Sequence, residues 1–289
     1  MTVPLFDHFV LSKPYFERHG ITVADEDGTL VGFAHAGFGP DDALYDVATE
    51  LGTTCLLLVP PHRDRDQIAS ELICHSEQYL LQRGTKVFYA GCVRPLNPFY
   101  LGIYGGSELP GILLSDVDTL RFFQASQYRE IDRCVVMQRN LAGFRNPVDR
   151  RQLQIGREHD VRIIQEPDPG NWWDACTRPG TDRTMYVLYP KRGGGPVAQV
   201  TFWEIEPLAS SWGMQAVGLI DMFVPPPHRR TGLGTFINAY AMRHLRDRGA
   251  THVEVQTMIN NTAALALYRK LGFNEVDQGI VLRKDIIVT

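Results

Sequence analysis

The chain has 289 residues, 44% of them hydrophobic and 21% charged, and a formal net charge of −4. That is the composition of a folded protein, long enough for two ordinary domains and unlike a disordered chain. The mildly acidic balance gives no global field to gather nucleic acid or an anionic membrane, so neither is an expected partner.

No uninterrupted apolar run reaches the ~18 residues of a membrane span. The first twenty residues lack a basic stretch followed by a sustained apolar one, so no secretory signal is expected. Five cysteines (Cys55, Cys74, Cys92, Cys134, Cys176) are scattered without a C-x-x-C pair. Reduced thiols in a cytoplasmic protein, and no bound metal, are the expectation.

In chain order, residues 21–37 read as a hairpin turning at Asp27-Gly28. A strand is expected over 55–59, closed by Pro60-Pro61. The helix after it places Ile68, Leu72, Ile73, Tyr79 and Leu80 on one buried side and stops at Arg83-Gly84. A strand over 85–90 follows. Residues 97–111 carry three aromatics among glycines and prolines. They read as a loop, which either packs on its own domain or reaches over an acceptor site in the other half. Residues 139–160 are polar and rich in Arg, with Asn146-Pro147 as a turn or helix start. They read as a linker, and the chain is divided into 1–145 and 146–289.

The second half gives strands over 161–164, 185–189 and 197–204, the last two joined across a Gly-rich turn. A buried strand over 217–224 is interrupted by one acid, Asp221, and ended by three prolines. Leu233, Phe236, Ile237, Tyr240, Ala241, His244 and Leu245 then share a helical face, with Gly249 as the stop. A strand (252–257), a second helix (262–271) ending at Gly272, and a last strand (276–283) complete a mixed α+β domain around one sheet.

The two halves repeat one another. Thr54-Cys55-Leu56-Leu57-Leu58-Val59-Pro60-Pro61-His62-Arg63 resembles Gly218-Leu219-Ile220-Asp221-Met222-Phe223-Val224-Pro225-Pro226-Pro227-His228-Arg229, and a helix running into Arg-Gly and then a strand follows each. Two tandem copies of one fold explain this economically.

Two motifs in the second copy carry chemistry. Arg229-Arg230-Thr231-Gly232-Leu233-Gly234 lies between a strand end and a helix start. Glycines there let a ligand approach the backbone, and the first helical turn offers unpartnered N–H groups to a pyrophosphate. Taken alone, tight packing of helix on sheet would also select those glycines. The second motif is Asn261-x-x-Ala264-x-x-Leu267-Tyr268-x-x-x-Gly272-Phe273. Asn261, Ala264 and Tyr268 share one helical face, which by itself also suits a capping Asn and a core tyrosine.

Together, in this order and about 27 residues apart, the two motifs resemble the GNAT superfamily of N-acyltransferases over most of residues 200–280. The resemblance implies tandem GNAT-type domains, each a mostly antiparallel sheet flanked by helices, with acetyl-CoA as acyl donor. It implies that Met222, Phe223 and Val224 pair with the pantetheine arm. Arg229, Arg230, Thr231, Gly232, Leu233, Gly234 and Thr235 would hold the pyrophosphate. Asn261 would contact the arm, Ala264 would leave room for it, and Tyr268 would protonate the leaving thiolate. An amine must lose a proton to attack a thioester, and Asp221 and Glu204 are the candidate bases. The Phe223 or Val224 amide is a candidate donor to the carbonyl oxygen.

The first copy keeps the fold pattern without the motifs. Alignment on Arg63 sets Asp66 and Ile68 against Gly232 and Gly234. Alignment on Tyr128 sets Asp116 and Phe123 against Asn261 and Tyr268. A degenerate, non-catalytic copy is therefore expected. The resemblance implies as acceptor a primary amine of a small molecule or peptide, whose identity is not readable and which residues 169–182 with Trp172 and Trp173 would help bind. Two alternatives remain: another acyl-CoA donor, as in the tandem mycothiol synthases, and a non-catalytic CoA-binding module.

Overall fold

The computed structural model describes residues 2–104, 106–178, 180–205, 209 and 211–286. The first copy comprises β1 (Ile21–Glu26), β2 (Thr29–Pro40), β3 (Val47–Leu58), α1 (Arg65–Gln82), β4 (Val87–Ala90), β5 (Cys92–Val93), β6 (Pro110–Leu113), α2 (Val117–Ala125) and β7 (Arg129–Asn140). A linker helix, α3 (Arg150–Glu158), leads into β8 (His159–Gln165), α4 (Trp172–Thr177), β9 (Arg183–Pro190), β10 (Ala198–Glu204), β11 (Ala216–Phe223), α5 (Leu233–Asp247), β12 (His252–Met258), α6 (Thr262–Lys270) and β13 (Asn274–Asp285). The hairpin at Asp27-Gly28 forms as read: both residues have positive φ (51° and 82°), the geometry that suits the twist of two paired strands.

The copies match in detail. In each, a parallel strand pair runs for four residues and then parts: Leu51–Thr54 with Val87–Ala90, and Ala216–Leu219 with His252–Val255. In each, the antiparallel neighbour shifts register by one residue at the point of parting, at Cys55 and at Ile220. α1 and α5 end alike, on Gly84 (φ 89°) and Gly249 (φ 106°), which accept a left-handed backbone that other residues resist.

The last strands are exchanged. The described residues form a 13-stranded sheet whose main path is β1-β2-β3-β4-β13-β7-β12-β11-β10-β9-β8. Thus β13, from the end of the chain, pairs with β4 of the first copy, and β7 pairs with β12 of the second. The two exchanged strands pair antiparallel with each other at the centre. Packing follows the exchange. Val135 and Met137 of β7 are buried with Ile237, Met242, Leu265 and Tyr268 of the second copy. Ile280 and Leu282 of β13 are buried with Leu72, Ile73, Phe122 and Phe123 of the first.

A third cluster joins the copies, with Phe99, Tyr100, Leu101 and Leu109 against Trp203, Ile205, Ala216 and Ile220. The loop over 97–111 therefore lies across the second copy's sheet. Its anchor is Glu254 on β12, a buried carboxylate that accepts from the Ser107 N–H (2.6 Å) and from Gln138 Nε2 (2.8 Å). Burial pushes the Glu254 carboxyl above its ordinary value, against those hydrogen bonds. Gly106 (φ 91°) packs directly on that carboxylate, where a Cβ would collide with it. No described helix is long and apolar enough to cross a membrane, and no group of three or more metal-ligating side chains is found among the described residues.

Candidate active site

Beyond Leu219 and Val255 the parallel pair opens into a wedge. Asp221, Met222 and Phe223 pair only with β10, and Gln256, Thr257 and Met258 only with β7. The inner edge of β11 therefore has no strand partner among the described residues. An extended amide-bearing chain can be added to such an edge as one more strand. Met222 and Phe223 lie on this edge, with Val224 just past its end.

The mouth of the wedge is the glycine loop. Pro226–His228 forms a short 3-10 turn, Arg230 and Gly232 follow with φ of 59° and 88°, and α5 begins at Leu233. Gly232 is the N-cap and makes no side-chain capping bond, so the first-turn N–H groups of Leu233, Gly234 and Thr235 lack intrahelical acceptors. Gly234 faces Met222, and a Cβ there would collide with the methionine terminus. Close packing of the helix on the sheet thus accounts for Gly234, while the first-turn N–H groups stay without intrahelical acceptors. Arg229 Nε donates to Val224 O (3.0 Å), and Thr231 Oγ donates to His228 O. Arg151 of α3 donates to Arg230 O (2.9 Å), and Gln152 to Gly232 O (3.3 Å). These two residues hold the loop from outside both motifs; the Arg-rich linker was their only sequence trace.

On the other wall, Asn261 caps α6 by accepting from the Ala264 N–H (3.3 Å), and its amide donates to Thr257 (3.1 Å). Ala264 is half-buried on the adjacent turn. Tyr268 is buried, with its ring 5.6 Å from that of Phe273. Burial first, and then the charge of Glu108, push the Tyr268 phenol above its ordinary range. The hydroxyl therefore stays protonated at neutral pH.

A charged cluster lies at the parting of the strands. Asp221 accepts from Arg94 (2.6 Å) and Arg178 (3.3 Å). Glu108 sits beside the same two guanidinium groups, at 3.1 Å from Arg178 and 3.7 Å from Arg94. Arg178, only 4% exposed, also meets Asp174 at 3.6 Å, which in turn binds Arg183 at 2.8 Å. Burial opposes ionisation of Asp221, but the two arginines outweigh it and hold the carboxyl below the usual range. Burial wins at Glu108, whose carboxyl is raised despite the same arginines. Arg94 and Glu108 come from the first copy and were not singled out in the sequence, because no motif surrounds them.

Glu204 lies elsewhere. It pairs with Val217 at the opposite end of β11 and lines a separate cleft with Trp203, Asp182 and Gln215. Trp173 is buried between the copies, donating to Asn97 Oδ1 (3.3 Å), and its ring is 4.8 Å from that of Tyr15.

The corresponding stretch of the first copy is helical. α1 is 18 residues long against 15 for α5, although both end alike. The stretch equivalent to the glycine loop is thus wound into the helix. The helix ends set Gln67 and Ala69 opposite Gly232 and Gly234, one residue away from the Asp66 and Ile68 expected from Arg63. Asp66 instead binds Arg121 of α2 through two hydrogen bonds (2.7 and 2.8 Å), tying α1 to α2 across that face.

Residues 154–273 match the acetyltransferase (GNAT) family. A mycothiol acetyltransferase of Renibacterium salmoninarum is 24% identical over 208 residues, covering 70% of this chain and 54% of that protein. The ribosomal protein bS18-alanine N-acetyltransferase of Escherichia coli is 37% identical over 57 residues, covering 20% of this chain and 38% of that one. The chain thus spans about half or less of the length of these curated relatives. Among solved structures, a tandem GNAT protein from the clavulanic acid biosynthesis pathway shares the fold with a TM-score of 0.64 at 14% identity, over 93% of this chain and 85% of that one.

Proposed function

We propose that this chain, whose residues 154–273 match the acetyltransferase (GNAT) family and whose fold is that of a tandem GNAT protein, transfers an acetyl group from acetyl-CoA directly to a primary amine. The site is the wedge of the C-terminal copy. The observation that carries this reading is the open edge of β11, with the glycine loop at one end and, at the other, the parting where Glu108 lies near enough to act on the Tyr268 phenol. In this reading Met222, Phe223 and Val224 pair with the pantetheine arm, and Arg229 through Thr235 hold the pyrophosphate on N–H groups backed by the α5 dipole. Asn261 and Ala264 line the arm.

The amine nitrogen attacks the thioester carbonyl, the C–S bond breaks, and Tyr268 gives its proton to the departing thiolate. The Phe223 or Val224 N–H meets the charge that develops on the carbonyl oxygen. A carboxylate of the neighbouring charged cluster takes the proton that the amine sheds. The relatives' names, a mycothiol acetyltransferase and a ribosomal protein bS18-alanine N-acetyltransferase, point to a small molecule or peptide amine.

The test is thiol release from acetyl-CoA with glucosamine and with an alanine-initiated peptide as acceptors, beside calorimetric titration of acetyl-CoA. Release that depends on the amine supports the reading. Acetyl-CoA binding without any acetylated amine would favour the CoA-binding module, and absence of binding would dismiss both.

A further inference from the structure

We propose that Glu108, carried by the N-terminal copy, is the proton acceptor for the amine in the C-terminal copy's site, so that the active centre is built from both halves. This rests on the acetyl-transfer reading above. Three placements carry it.

The Glu108 main chain is fixed over the open wall of the wedge, where Gln256 Nε2 donates to the Glu108 carbonyl (2.9 Å). The adjoining Ser107 is bound to the buried Glu254. The loop is therefore docked on β12 by these two hydrogen bonds, and it carries its acid to a definite position.

The Glu108 side chain then reaches across the parting to the same guanidinium groups that hold Asp221 on β11. It thus stands between the two walls of the wedge, on the side where an acceptor must approach the thioester.

Of the two carboxylates, Asp221 is the more firmly ionised, having a 2.6 Å hydrogen bond from Arg94 as well as Arg178. A base committed to two cations takes a proton reluctantly. Glu108 is less exposed and its carboxyl is raised, which makes it the better acceptor. When Glu108 accepts a proton from the ammonium, Arg178 still has Asp221 and Asp174 and is not left as an unpaired buried charge. The proton balance closes over the cycle: the ammonium gives its first proton to Glu108, which passes it to solvent, and Tyr268 gives its own to the thiolate. The second proton, shed by the nitrogen as the tetrahedral intermediate collapses, restores Tyr268 through solvent.

The experiment compares wild type, Glu108→Gln and Glu108→Asp in the full chain, with acetyl-CoA and glucosamine, following thiol release between pH 6 and 10. Glu108→Gln should lower kcat at pH 7 on the order of 10²-fold. The deficit should shrink as pH rises and the bound amine loses its proton without help. Glu108→Asp should recover part of the loss, and both variants should keep the thermal shift given by acetyl-CoA. A Glu108→Gln enzyme with wild-type kcat, or with the same fold-loss at every pH, overturns the proposal. Thiol release that fails in the wild type as well overturns the acetyl-transfer reading beneath it.

Discussion

Asp116 and Asn261 hold the same post in the two copies. Each caps a nine-residue helix by accepting from the main-chain N–H three residues on, Thr119 and Ala264, at 3.3 Å in both. Each helix carries an aromatic ring seven residues after its cap, Phe123 or Tyr268. The carbonyl of that residue accepts from the N–H of Tyr128 or Phe273 at 3.0 Å. The backbone is the same to the hydrogen bond; what the first copy lacks is the hydroxyl.

Acetyl-CoA is expected to bind one site per chain. At about 100 times its dissociation constant it should stabilise the fold by roughly 2.7 kcal/mol. Gly232→Asp should abolish that shift, since it sets a carboxylate in the anion cradle at a backbone φ of 88°. Two equivalent sites by calorimetry, or undisturbed binding in the variant, would count against the assignment.

Tyr268→Phe should lower kcat on the order of 10²-fold, within the usual range for a general acid. Acetyl-CoA affinity should hardly move, because the hydroxyl acts in the chemical step. The fold should tolerate the change, since the first copy already packs Phe123 against Tyr128 with ring centroids 5.1 Å apart. An unchanged kcat would mean that another group protonates the sulfur.

The parts of this site that were legible in the sequence are those encoded locally. The face of α5, the stop glycines and the cap of α6 each follow from residues within a few turns of one another. The strand exchange was not legible, for a definite reason. β7 and β13 have the same length and the same residue-by-residue burial pattern, so either strand could complete either sheet. Only contacts between segments more than 100 residues apart decide it. Glu108 was missed on similar grounds: the loop's docking on Glu254 brings it to the site, and no spacing around it signals chemistry. Asp221 was visible as an acid within an apolar strand, but its partners Arg94 and Arg178 lie 127 and 43 residues away.

His35 should make the fold acid-sensitive. The imidazole is fully buried, bonded to the Tyr100 hydroxyl at 2.8 Å and surrounded by Phe16 and Phe99. Burial pushes its pKa from 6.5 down to about 3. A depressed folded-state pKa contributes stability that is present above the unfolded value and lost as pH falls towards the folded one. The loss should therefore begin below pH 6.5 and reach at most about 5 kcal/mol near pH 3. His35→Phe should flatten the fall in Tm between pH 7 and 4, while lowering Tm at pH 7 because Tyr100 loses its partner. An equal acid slope in the variant would assign the sensitivity to other groups.

The exchange of β7 and β13 predicts that neither copy folds alone. A fragment of residues 141–289 lacks β7, which leaves one edge of β12 unpaired from His252 to Met258. It also removes Val135 and Met137 from the core around α5 and α6. At about 1.5–3 kcal/mol for each large apolar side chain, those two residues represent a large part of the ~5–15 kcal/mol that holds a domain folded. The exposed strand edge adds a route to aggregation. A fragment of residues 1–140 has the mirror defect, losing Ile280 and Leu282 from its core and the partner of β4. Produced together, however, fragments cut after the exposed turn at Gly143 contain every strand, and each must donate one to the other. They should copurify, melt as one cooperative unit and show the acetyl-CoA thermal shift, while each alone should be insoluble or unfolded by circular dichroism. A cooperative melt and an undiminished acetyl-CoA shift from residues 141–289 alone would show that the second copy closes its own sheet, contrary to the exchange.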